Sequence, residues 1–330
     1  MIMKICFVDT VNIDYSYKDI NNYKIRGAES ILINLSKSIS ETGIEVTIFN
    51  NCKNEISFKN YNWLNINKIK NYKNNFDIVI SNNDTNALDV FNCKKKFVIS
   101  HSILSLEKGI RKKQIISYFI NRPKYLLLGN YHKSKMSKLF TLFGSSIIDY
   151  GVDKIFEHKE LNNIIDNDLS YFTSRQDRNL DMLIDIWKQK IINSRNSSKL
   201  YITPLNHDLK KYNIFNRKML ERSNYIEEII KSRMIILPGH KAELYCLSAL
   251  EAAELCIPIV TMGIGSLSER VEHNITGLVS KNSDSFAKNV LEMYKNDQLW
   301  NEIRSNLIAR RGQNSWNKAT QKFIKIIKEL

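Results

Sequence analysis

What most narrows the fold of this chain is a rhythm. Short β-branched runs occur at 3–8 ("MKICFV"), 45–49 ("EVTIF"), 77–81 ("DIVIS"), 96–100 ("KFVIS"), 125–128 ("YLLL") and 146–148, with helical patterns between them. Between the first two, "AESILINLSKSISETG" puts Ile31, Leu32, Leu35 and Ile39 at helical spacing, and Gly43 supplies a stop. Alternation of this kind implies a parallel sheet covered by helices on both faces. The polar, acidic stretch 151–168 breaks the rhythm and reads as a linker. The rhythm then resumes. Strands are expected at 169–173 and 199–203 on either side of "RNLDMLIDIWKQKI", then at 233–237 and 257–262, with helices to the C-terminus. The expected fold class is therefore α/β, with two doubly wound Rossmann-like domains facing a cleft. A ligand belongs in that cleft, at the carboxyl ends of the strands.

Composition limits the function classes. Of the 330 residues, 43% are apolar and 25% charged, which is ordinary for a water-soluble domain pair. No apolar run reaches the ~20 residues that span a bilayer. The opening "MIMKICFVDT" meets Asp9 at once and lacks the apolar core and cleavage site of a signal peptide, so a cytoplasmic location is expected. The five cysteines are far apart and read as reduced core residues. The six histidines show no metal-binding spacing, so no metal and no cofactor are expected. The formal net charge is +15, and Lys108, Arg111, Lys112, Lys113, Arg122, Lys124, Lys133, Lys135 and Lys138 fall in a stretch without an acid from 108 to 148. A bias towards Lys does not by itself remove every acid from such a stretch. The expectation is a basic face at residues 108–138 for an anionic membrane surface, peripheral to the inner face of the plasma membrane. Nucleic acid competes on charge alone and is not the expected partner.

Residues 241–260, "KAELYCLSALEAAELCIPIV", carry Glu243 and Glu251 inside an apolar run. Around Glu251 stand Leu247, Leu250, Ala252, Ala253 and Leu255, which predicts a helix starting near Leu244 and buried all round. Glu254 is expected to reach solvent. An ionised carboxylate among such neighbours is costly unless strong donors meet it. Eight helical residues would separate the two carboxylates by roughly 12 Å, enough to touch two parts of one hydroxyl-rich ligand. "DND" (Asp166, Asn167, Asp168) mimics a metal motif but, before a strand, reads as turn chemistry. Glu269 is expected either to cap a helix or to face the site.

With its strand–Pro loop, Glu-x7-Glu and "AAELCIPIVTMGIGSLSERVEHNITGLV", this region resembles the nucleotide-sugar site of the GT-B retaining glycosyltransferases of family 4 (glycosyl transferases group 1). "YKIRGAESILINL" is similar to that family's G-G-A-E loop, "IIDYGVDKIF" to its interdomain segment with Tyr150 in place of Asn, "YFTSRQDRNLDMLIDIW" to the opening of its second domain, and "QNSWNKATQKFIKII" to its closing helix. The resemblance covers nearly the whole chain. It implies an N-terminal acceptor- and membrane-facing domain (1–155), a nucleotide-sugar-binding domain (156–312), and a helix (313–330) crossing back to the first.

The same resemblance implies roles. Glu251 would hold ribose hydroxyls of a UDP- or GDP-sugar, and Glu243 would lie at the donor sugar. Tyr245, Cys246 and Leu247 would present backbone N–H groups. Gly27 would let phosphate approach a helix start, Arg175 and Arg178 would stabilise the leaving diphosphate, and His101 would sit near the donor. The departures are "LYC" (244–246) where the family has Gly-Phe-Gly, and Arg26 where it has the loop's first Gly. The implied activity is a retaining hexosyltransferase passing a sugar to a glycan or lipid-linked acceptor in glycolipid or surface-polysaccharide assembly. The rivals are a sugar-nucleotide epimerase or hydrolase of the same fold, and a non-catalytic basic binding protein.

Overall fold

The computed structural model describes every residue except Met1, 22–24, 162–163, His207, Met219 and Leu330. The chain forms two compact units, Met1–Gly151 with Trp316–Leu330, and Val152–Ser315. The crossings therefore fall at 151/152 and 315/316, against the expected 155/156 and 312/313. Local bonds fix them. The Val152 N–H donates to the Asn314 carbonyl at 2.8 Å, and a Cβ on Gly151 would lie 2.3 Å from the Trp316 nitrogen.

In the first unit, described strands β1 (Lys4–Val8), β2 (Glu45–Asn50), β3 (Ile56–Phe58), β4 (Tyr61–Asn65), β5 (Ile78–Asn82), β6 (Lys95–Ile99), β7 (Lys124–Leu127) and β8 (Ser145–Ile147) form one sheet. Their order is β3-β4-β2-β1-β5-β6-β7-β8. All pairs are parallel except the hairpin β3–β4. Successive strand side chains point to opposite faces. Cys6, Val8, Val79 and Val98 thus enter one buried layer. Phe7 and Ile80 meet Ile31, Leu32 and Leu35 of helix α1 (Gly27–Ser40) on the other. The last helix, Trp316–Glu329, packs on α1. The hairpin β3–β4 escapes the sequence reading because its strands are short and interspersed with Asn and Lys.

In the second unit, strands β9 (Asp166–Tyr171), β10 (Lys199–Ile202), β11 (Ile214–Asn216), β12 (Ser232–Gly239), β13 (Ile259–Ile264) and β14 (Gly277–Val279) are all parallel, in the order β11-β10-β9-β12-β13-β14. Two doubly wound α/β units are what the alternation implied. The three-residue strands β11 and β14 carry no apolar run long enough to set them apart from the turns around them.

Three local expectations need correcting. The stretch 151–168 is not a plain linker, since it contains the helix Lys154–Glu157 and the start of β9. The "DND" residues are strand, not turn: Asp168 accepts from Arg195 and Ser197, and Asn167 accepts from Arg233. Finally, the helix in 241–260 runs only from Leu247 to Glu254, because Cys246 adopts left-handed φ of 60° and stops it from starting earlier. It is not buried all round. Leu247, Ser248 and Glu251 form a mostly buried face that keeps some exposure, whereas Glu254 is fully buried and accepts the Gly312 N–H at 2.6 Å.

Candidate functional site

In a doubly wound sheet, loops diverge at the strand pair where the winding reverses, leaving room for a ligand. In the second unit that pair is β9 and β12. The loop after β9 carries Arg175 and Arg178, and the loop after β12 carries Glu243, Tyr245 and Cys246. Side chains stitch the loops together. Asn179 donates to the Gly239 carbonyl at 2.5 Å, and Ser248 to the Thr173 carbonyl at 2.9 Å.

Two glycines set the second loop. Gly239 has φ of 90°, and a Cβ there would lie 2.6 Å from the Ile264 carbonyl oxygen; Gly265, with φ of 75°, would meet the His240 carbonyl oxygen at 2.3 Å. The turn after β13 can thus lie flat on the turn after β12, where the Ser266 N–H donates to the Glu243 carbonyl at 2.9 Å. A side chain at Gly239 would displace Ile264, and one at Gly265 would displace the turn carrying Glu243.

The structure brings Arg175, Arg178, Glu243 and Cys246 into one electrostatic cluster. Asp177, which the sequence reading passed over, sits between the two arginines. Arg175 Nε lies 2.9 Å from its Oδ1, and an Arg178 guanidinium nitrogen 2.8 Å from its Oδ2. The Arg175 hydrogen bond, followed by the charges of both arginines, lowers the Asp177 carboxyl. Arg175 is 69% exposed at its side chain and Arg178 14%, so one guanidinium faces solvent while the other braces the loop. Burial raises the Glu243 carboxyl, and a hydrogen bond to Cys246 with the charges of Arg178, His240 and Arg175 pulls it back. Burial, then the Glu243 charge, pushes the Cys246 thiol well above its ordinary value, so it is no nucleophile.

Cys246 keeps the left-handed backbone at the helix start, so the missing family glycine has not removed the conformation that glycine would favour. The first intrahelical donors are Ala249 and Leu250, both to the Cys246 carbonyl. The amides of Leu247 and Ser248 therefore stand at the positive end of the helix. Tyr245 is buried under Arg270, with the guanidinium 4.0 Å from its ring centre and donating to its carbonyl at 3.1 Å.

Glu251 belongs to a different cluster. Its carboxylate meets Arg222 at 3.3 Å, and the other arm of Arg222 meets Asp153 at 3.1 Å. The strong donor that a carboxylate in this setting requires is thus supplied by the protein, from the helix Arg222–Ile229. Burial raises the Glu251 carboxyl, Arg222 lowers it, and Asp153 raises it. Nothing in "LERSNYIEEI" announces Arg222 as that partner. Glu269 is exposed in the helix Leu267–Arg270 and, with Glu254, Glu272 and Arg310, lines a separate cavity of about 180 Å³.

The remaining two candidates lie in the first unit. Gly27 is the exposed first residue of α1, where Arg26 pairs with Glu29; residues 23 and 24 of the same loop lie outside the described residues. His101 follows β6, stacks on Tyr150 with ring centres 6.0 Å apart, and donates its backbone N–H to Asn83. Burial, then the nearby His132, lowers it to about 4, so it is neutral at pH 7.

No curated protein matches the sequence. Residues 205–310 match the family described as glycosyl transferases group 1, and that segment holds Glu243, Tyr245, Cys246, Leu247 and Glu251 but not the two arginines. Among solved structures, sucrose-phosphate synthase from Thermosynechococcus elongatus is similar with a TM-score of 0.69 at 11% identity, covering 99% of this chain and 98% of that one. Anabaena HepE, solved with UDP-glucose, gives 0.69 at 16% identity over 99% and 100%. WaaG, a glycosyltransferase of lipopolysaccharide biosynthesis, gives 0.67 at 12% identity over 99% and 99%. Residues 205–310 thus match the glycosyl transferases group 1, in a chain whose two units have the fold of GT-B glycosyltransferases.

Proposed function

We propose that the protein transfers a sugar, with retention of configuration, from a UDP- or GDP-sugar to a glycan or lipid-linked acceptor. The observation that carries the reading is the grouping of Arg175, Arg178 and Glu243 at the switch point of the second sheet, beside the start of the helix Leu247–Glu254. Breaking a sugar–diphosphate bond leaves negative charge on the departing phosphate. Solvent-facing Arg175 and the helix amides are suited to receive it, while Arg178 and Asp177 hold the loop. Glu243, raised by burial, is suited to accept or donate a hydrogen bond to a sugar hydroxyl. The UDP-glucose bound by HepE supports a nucleotide-sugar donor.

Glu251 retains its assignment to the ribose hydroxyls, now with Arg222 as the residue that orients it. The reading gives the neutralising role to guanidiniums instead of a divalent cation, so turnover should survive a chelator. Neutral His101, just after β6 in the first unit, keeps its assignment near the donor, as a positioning group and not an acid or base. Peripheral attachment to the inner face of the plasma membrane is supported by basic residues 108–138; among the described residues no helix is long and apolar enough to cross a membrane.

Nucleotide release from a panel of UDP-, GDP- and ADP-sugars tests the proposal. A UDP- or GDP-sugar should be consumed, and Arg175→Ala should slow it by about 100-fold or more. No release and no thermal protection with any donor would sink it. Analysis of products without acceptor separates transfer from epimerisation or hydrolysis.

A further inference from the structure

The basic segment of the first unit also exposes hydrocarbon. Helix α2 (Leu106–Arg111) presents Leu106 and Ile110, one turn apart, to solvent, and helix α3 (Gln114–Asn121) presents Ile116, Phe119 and Ile120. Ile110 is 61% exposed, Ile116 74%, Ile120 71%, and Leu142 in the following turn 64%. For large aliphatic side chains these are high values, and they fall at helical spacing, which marks a face instead of scattered residues.

The elements adjoin. A Cβ on Gly109 of α2 would lie 2.3 Å from the Phe140 ring, and Phe119 meets Phe143 edge-on with ring centres 6.1 Å apart. The opposite side of α3 is anchored inward, where Gln114 bonds Asp84, and Ser117 and Asn121 bond Asp89. The apolar residues are therefore the outward face of a well-fixed helix.

Cations frame that face. Arg111 ends α2, Lys112 and Lys113 form the turn to α3, Arg122 follows α3 with its guanidinium 5.9 Å from the Phe143 ring centre, and Lys138 opens the next turn. None of these five forms an ion pair with a described residue, and Glu107 is the acid at the start of α2. A second copy of the chain docked on this face would bring like charges together. Nucleic acid would engage the cations but leave the aliphatic face wet. A bilayer with anionic headgroups satisfies both, taking the side chains into its acyl boundary and the cations at its phosphates.

We infer that α2, α3 and the turn at Leu142 form an insertion surface, so that the first unit dips hydrocarbon into an anionic bilayer instead of only resting on it by charge. The inference rests on the membrane-facing reading of this unit and deepens it. Flotation of the full chain with phosphatidylcholine vesicles, with and without about 30% phosphatidylglycerol, tests it. The parent should float with the anionic vesicles and keep part of its binding as salt rises from about 0.1 to about 0.5 M, because insertion is not screened. Ile116→Ser/Phe119→Ser/Ile120→Ser should lower partitioning by about 100-fold or more, while Lys112→Glu/Lys113→Glu should weaken binding chiefly at low salt. Unchanged flotation of the triple variant, a parent that does not float, binding to RNA in preference to vesicles, or concentration-dependent dimerisation abolished by the triple variant would each overturn the inference. Nucleotide release measured without vesicles should be the same in parent and triple variant. Flotation without donor turnover would count against the transferase reading alone.

Discussion

Replacing Arg222 by Met removes the cation that bridges Glu251 and Asp153 while keeping an aliphatic side chain over the Phe156 ring, 5.6 Å away. At 3.3 Å and 3.1 Å, each contact is worth about 5 kcal/mol of gross Coulomb attraction at an effective dielectric of about 20. Desolvation of the three groups cancels most of that. The variant, however, leaves two carboxylates behind, 14% and 19% exposed, with no counter-charge. The expected net loss is about 2–3 kcal/mol, or about 5–10 °C in the melting temperature of a unit of this size. Urea titration followed by tryptophan fluorescence at pH 8 measures it. Adding Glu251→Gln to the variant should recover about 1–2 kcal/mol, since an amide needs no cation. The penalty should also shrink as pH falls: Glu251 is already raised by burial, and once protonated it no longer needs Arg222. A loss below about 0.5 kcal/mol with no coupling in the cycle would show that the bridge does not hold Glu251 in place. The functional half is separate. Glu251→Ala should weaken UDP affinity by about tenfold or more, and unchanged affinity would refute its ribose role.

Three further outcomes are expected. At Cys246 the usual order reverses: Cys246→Gly should be more stable than Cys246→Ala by about 1 kcal/mol in chemical denaturation, because alanine dislikes the left-handed backbone there; the ordinary helical order would refute that conformation. Gly265→Ala should cost about 2 kcal/mol or more and lower turnover, since its Cβ would push the turn carrying Glu243, and parental activity and melting temperature together would contradict this. His101 and His132 are both lowered to about 4 by burial, so the unfolded chain takes up their protons first; the first unit should lose about 5 kcal/mol as pH falls from about 6.5 to about 4, and the loss should roughly halve in His132→Asn, a parent-like slope in that variant refuting the cause.

Much of this protein is written in local sequence. Strand runs apolar on both faces, separated by helical spacings, are enough to require parallel sheets between helix layers, and the pattern at 233–260 located the loop and helix of the candidate site. The hairpin β3–β4, interrupted by Asn and Lys, and the short strands β11 and β14 stayed hidden, whereas the equally short β8 was signalled by its apolar run. Burial around the carboxylates was only half legible: in the helix Leu247–Glu254 Glu251 is largely buried as expected, with 14% of its side chain exposed, but Glu254, expected to reach solvent, is buried as well. Sequence spacing tells which residues share a helix face, but not which face turns inward. The partners were decided only in three dimensions. Arg222 reaches Glu251 from 29 positions away, and the aliphatic face beside the lysines emerges because Asp84 and Asp89 hold the other side of α3. Side-chain chemistry is encoded locally, whereas charge compensation and exposure depend on contacts between segments that the linear order does not connect.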